Sequence, residues 1–145
     1  MNKTYICLLA SLFGLLTACS KKDEAPAAPA ATTTNVSATI NGAQQVPVVS
    51  STATGTFAGV YTSYSHQLTY TVTFQGITPT SAHIHTGVPG GTGAVAIPFN
   101  TLTSPITGTA TLTDEQADKL LSNGMYVNLH SSSFPNGEIR GDIHK

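Results

Sequence analysis

His66-Gln67-Leu68-Thr69-Tyr70-Thr71-Val72-Thr73-Phe74 alternates between apolar and polar residues along most of its length. An extended strand turns successive side chains to opposite faces, which sorts these residues into an apolar row and a threonine row. Leu68, Tyr70, Val72 and Phe74 then need a second apolar surface over them, so the chain must fold in layers. The same period of two returns elsewhere. Val36, Ala38 and Ile40 alternate with polar residues, and 54–61 carries Phe57 as its bulky member. Further short strands are predicted at 81–86, 94–99, 106–112, 125–131 and 138–144, the last with Ile139 and Ile143 facing in. Asn41-Gly42, Gly76, Pro79 and Phe134-Pro135-Asn136-Gly137 punctuate the runs as turn signals. Around eight strands with frequent turns predict an all-β fold, an antiparallel β-sandwich. His66 falls on the apolar parity at its strand's start and reads as a partly covered structural histidine.

One short helix interrupts the strands. Thr113-Asp114-Glu115-Gln116 has capping-box spacing with acidic residues in the first turn. Ala117, Leu120 and Leu121 then share one face, and Gly124 stands where a C-terminal cap is expected.

Several functions are excluded by what is missing. Charged residues make up 9% of the chain and its formal net charge is −1, so no basic field exists to hold a nucleic acid. The glycine-rich loop Gly87-Val88-Pro89-Gly90-Gly91-Thr92-Gly93 lacks the lysine of a phosphate cradle and opens no helix. It is expected to wrap the edge of the histidine strand before it. No serine sits in a nucleophile elbow. Three of the five acids after residue 36 lie in the helix, which argues against a paired-carboxylate hydrolase. Asn35-Val36-Ser37 matches a glycosylation sequon but is read as chance.

The chemistry-bearing residues are histidines. His83 and His85 flank Ile84, while Val127 and Leu129 alternate with Tyr126, Asn128 and His130. With the apolar residues turned to the core, three imidazoles emerge together on the opposite, wetter face. Neutral imidazoles ligate zinc or copper, and three of them plus a water form a common open site. Glu138 or Asp142 is expected to orient a ring through its second nitrogen, and Arg140 to join Glu138 as an ion pair. The same residues also fit a structural role, with His83, His85 and His130 bonded to backbone, to Glu138 or to the glycine loop and pinning two strands together. Spacing leaves both readings open. A binding role would engage an extracellular protein or a glycan, with Tyr126 as the nameable aromatic anchor.

The N-terminus carries an address. Lys3 precedes an apolar run from Ile6 to Leu16 that is short for a membrane span, as in a secretory signal. Leu16-Thr17-Ala18-Cys19 resembles the lipobox of bacterial lipoproteins. The resemblance implies that residues 1–18 are removed and that Cys19 is acylated, each buried methylene contributing about 0.8 kcal/mol to membrane attachment. Ser20-Lys21-Lys22-Asp23-Glu24 resembles a surface-export signal of Gram-negative lipoproteins, or is a solvated charge cluster beside the membrane. The remainder of 19–35, rich in alanine, threonine and proline, reads as a flexible tether. The expected location is therefore the cell envelope, on the outer membrane or cell surface. Cys7 and Cys19 both lie ahead of the predicted domain, so no disulfide staples it.

Four stretches together resemble the CHRD domain family: residues 38–47 (Ala-Thr-Ile-Asn-Gly-Ala-Gln-Gln-Val-Pro), 82–87 (Ala-His-Ile-His-Thr-Gly), 126–130 (Tyr-Val-Asn-Leu-His) and 135–141 (Pro-Asn-Gly-Glu-Ile-Arg-Gly). The resemblance covers residues 36–145 and implies an immunoglobulin-like β-sandwich with no firm biochemical activity; together with the lipobox, the expectation is a lipid-anchored binding or structural module with no assigned catalysis. A fainter resemblance runs to copper/zinc superoxide dismutase, whose copper site His83, His85 and His130 match. It implies a copper- or zinc-dependent redox protein, although the chain shows no bridging histidine, zinc-ligand loop or disulfide, and Arg140 lies closer to its preceding histidine than that enzyme's active-site arginine does.

Overall fold

The computed structural model describes residues 31–145. The expected signal sequence, Cys19 and most of the expected tether lie outside the described residues. Eight strands form: β1 (Thr33–Asn41), β2 (Thr54–Thr62), β3 (Gln67–Gln75), β4 (Ser81–Thr86), β5 (Val95–Pro98), β6 (Ile106–Thr111), β7 (Met125–His130) and β8 (Ile139–Asp142). A helix, α1 (Asp114–Leu121), stands between β6 and β7, and a 3₁₀ turn (Gly42–Gln44) follows β1. Neighbours run in the order β5-β4-β7-β8-β1-β2-β3-β6, antiparallel throughout.

The order contains two four-stranded halves. They meet where β8 passes β1, through the pair Asn41–Arg140 and a bridge between Ser37 and His144 closed by hydrogen bonds of 2.8 and 2.9 Å. Alternation explains what lies between the halves. Leu68, Tyr70 and Val72 of β3 are buried while Thr69, Thr71 and Thr73 are exposed. Phe57 of β2 joins them, and the other half supplies Ile84, Val127, Leu129 and Ile139 to one continuous core. Tyr70 reaches across to Phe99 beyond β5, with ring centroids 5.2 Å apart. Gly108, its partner on β6, makes room: a Cβ there would strike the Tyr70 hydroxyl. The antiparallel sandwich with one short helix is as expected.

Helix α1 starts as its sequence predicts. Thr113 Oγ1 accepts from the Gln116 N–H at 3.2 Å, and Gln116 Oε1 accepts from the Thr113 N–H at 3.0 Å. Its end differs in detail. Asn123 takes the left-handed conformation (φ 57°), and Gly124 follows it, donating to the Lys119 carbonyl at 2.7 Å. Asparagine tolerates this backbone because its short polar side chain does not crowd it. His66 lies in the β2–β3 turn, half covered, with Nδ1 3.3 Å from the Asp114 carboxylate.

One expectation needs correction. The face of β4, β7 and β8 opposite the core is wet only towards the histidines: His83, His85 and His130 are partly exposed, but Tyr126, Asn128, Glu138 and Arg140 are all buried, Arg140 with 1% of its surface exposed. Segments 42–51, 87–94 and 131–138 fold over this face and exclude water from its middle. The strand parity holds, but exposure depends on these coverings.

Candidate metal centre

Strand pairing brings the histidines together. Ser81 lies opposite His130, His83 opposite Asn128 and His85 opposite Tyr126, so the three imidazoles cluster at the β4–β7 seam. The register of β4 with β5 shifts between Ile84 and His85, leaving Ala96 of β5 without a partner, while the pairing of β4 with β7 runs unbroken past both histidines. Ring centroids stand 5.5 Å apart for His83–His85, 5.3 Å for His83–His130 and 6.3 Å for His85–His130. One ring nitrogen from each lies within 4.8 Å of the other two.

The hydrogen bonds assign the protons on two rings. His85 Nδ1 is 3.1 Å from the Gly93 carbonyl, and His130 Nδ1 is 2.9 Å from the Pro135 carbonyl. A carbonyl only accepts, so each Nδ1 carries the hydrogen and each Nε2 keeps a lone pair. His83 Nδ1, His85 Nε2 and His130 Nε2 are buried and have no partner. Burial first, then the charges of His130 and His85, hold His83 below the ordinary imidazole pKa. Burial also lowers His85; its bond to Gly93 opposes this, and His130 and Arg140 lower it further. These causes favour neutral rings, the form that ligates metal.

A stack supports the cluster. Tyr126 lies parallel to His85, with centroids 4.9 Å apart, and the Arg140 guanidinium covers its other side at 3.6 Å. Arg140 donates to Asp142 Oδ1 from Nε and Nη2 at 2.9 and 2.7 Å, and to the carbonyls of Gly91 and Val88 at 2.5 and 3.3 Å. It thereby clasps the glycine loop. Tyr126 Oη accepts from the Gly93 N–H at 3.3 Å. Gly93 is required here by close approach, because a Cβ would overlap the Thr86 carbonyl.

The expected supporting residues are present but differently employed. Glu138 accepts from Ser51 Oγ at 2.7 Å and from Ser131 Oγ, and it tethers segment 42–51 without touching an imidazole. Arg140 pairs with Asp142, two residues away, and not with Glu138. Backbone carbonyls of the two flanking loops orient the rings instead. Tyr126 is 4% exposed and packs within the site, so it offers no open aromatic surface to a glycan. The parity of Tyr126 and Asn128 with His130 was visible in the chain, whereas the roles of Gln45, Gly93 and Pro135 had no local signal.

A family model for the CHRD domain matches residues 36–143. The chain belongs to the CHRD domain family. No curated protein and no solved structure gives a match. All the site residues of this CHRD domain fall inside the matched span, and the four stretches that carried the resemblance meet here. From the first, Gln44 accepts from the Asp142 N–H and Gln45 reaches Asn128. The second and third carry the histidines, and the fourth contributes the Pro135 carbonyl and Arg140.

Proposed function

We propose that this CHRD protein is a lipid-anchored module of the cell envelope that holds one copper or zinc ion through His83 Nδ1, His85 Nε2 and His130 Nε2. The reading rests on one observation: three imidazoles that bring ring nitrogens within 4.8 Å of one another each keep a buried nitrogen with no partner. Buried polar atoms without a bond are costly, and the Nε2 lone pairs of His85 and His130 repel each other beside His83. A cation resolves both costs at once. Strand pinning accounts for the bonded nitrogens of His85 and His130 but not for the inward ones. A set of three imidazoles without thiolate or carboxylate suits copper or zinc and leaves room for a further ligand. Bound there, the ion would supply Lewis acidity, and copper would add one-electron chemistry. Gly93 and Pro135 would fix the ring orientations, and the Tyr126–Arg140 stack would keep His85 in place.

Elemental analysis and copper and zinc titration of the full-length chain test this, beside a His83→Ala/His130→Ala variant. The expected result is one ion per chain, lost in the variant while its circular dichroism stays unchanged. Folded wild-type protein that takes up neither metal overturns the reading.

A further inference from the structure

Among the described residues, four buried side-chain atoms lack a hydrogen-bond partner: the three imidazole nitrogens and Oδ1 of Asn128. The proposed ion accounts for the first three only. Asn128 is 3% exposed, stands between Tyr126 and His130 on β7, and faces His83 across the ladder. Directly opposed residues carry Cβ atoms about 4.5–5.5 Å apart, so its amide borders the ligand set.

The orientation of that amide is determined. Gln45 donates from Nε2 to the Asn136 carbonyl at 3.2 Å, which leaves its Oε1 to accept from Asn128 Nδ2 at 2.6 Å. The Asn136 carbonyl only accepts, so the relay assigns the nitrogen and oxygen ends of both amides. Gly137 closes against the same groups: a Cβ there would meet Gln45 Nε2 and both terminal atoms of Asn128. Gln45 and Gly137 thus hold Asn128 with its nitrogen committed and its oxygen free. The free oxygen shares its face with three nitrogens that are also free. An asparagine fixed in this way, at this cost, matches an acceptor waiting for a donor.

We infer that Asn128 Oδ1 accepts a hydrogen bond from a protic ligand on the metal ion, in the position that the three histidines leave open. The inference rests on the metal reading of the site and names the class of ligand it takes. Ligands with a hydrogen on the metal-bound atom are held, water first among them. Aprotic anions meet an oxygen lone pair and are disfavoured. Gln45 and Gly137 are positioning residues that act through Asn128.

Azide, an aprotic anion, is the probe. The full-length chain is loaded with one equivalent of copper(II) and titrated with azide, read by charge-transfer absorption. Copper(II) binds a nitrogen set at least as tightly as zinc does, so it reports on the site whichever ion is resident. Asn128→Leu removes the acceptor at similar size. Gln45→Met leaves Asn128 in place but frees its amide to turn, and it serves where Asn128→Leu fails to fold. Both variants are expected to keep copper affinity within a few-fold of wild type and to bind azide about tenfold more tightly. Equal azide affinity in wild type and a folded variant overturns the acceptor role while the three-histidine site stands. Loss of copper from folded Asn128→Leu makes Asn128 itself a ligand and overturns the inference in another way. Wild-type protein that binds no copper removes the metal reading and this inference together.

Discussion

At His85 and His130 a single bond from Nδ1 to a backbone carbonyl decides which nitrogen keeps its lone pair. The placement of these rings was legible from alternation, because parity along a strand is local. Their proton assignment was not, since it depends on carbonyls in two separate loops. The lowered pKa values of His83 and His85 have a consequence for the metal-free protein. An unfolded imidazole titrates near pH 6.5, while these folded ones resist protonation to lower pH. Below about pH 6.5 the unfolded chain therefore binds protons that the folded chain refuses, and stability falls as pH drops. Thermal unfolding in chelator should show a lower midpoint at pH 5.5 than at pH 7.5. Replacing His83 by Ala should flatten that dependence; an unchanged slope would mean that His83 does not contribute to it.

Among the elements, the glycine loop shows where local reasoning stops. Its position beside the histidine strand could be read from the chain, but its fastening could not. Arg140 reaches it across 49 residues of sequence, and Glu138 meets Ser51 across 87. No periodicity encodes such contacts, so the covering of the outer face was missed while strands and the capping box were found. Arg140→Met is expected to destabilise the domain by about 3 kcal/mol, because Asp142 keeps a mostly buried charge without its partner. Hydrogen exchange should rise at residues 88–93 more than at β2 or β3. A variant with wild-type stability and an equally protected loop would show that Arg140 is not the clasp.

For the molecule as a whole, β1 sets an axis. Thr32 is held at the β2–β3 turn, its N–H donating to Ser63 Oγ at 3.1 Å and its carbonyl accepting from the Ser63 N–H at 2.9 Å. Asn41, at the other end of β1, pairs with Arg140 beside the candidate metal centre. Nine residues of strand separate the two ends by roughly 27 Å. An anchor at Cys19 would tie down the first end and present the site on the far side. Cys19→Ala should move the protein from the membrane to the soluble fraction without changing its unfolding midpoint; a variant still acylated and sedimenting with membranes would refute the anchor.

All three imidazoles belong to β4 and β7, neighbours within one half of the sandwich, while the halves share the core and pair strand to strand at a short seam between β1 and β8. An ion seated there would rivet two adjacent strands and leave the seam unburdened. Its loss would loosen that one wall first, while the core shared by both halves keeps the sandwich shut.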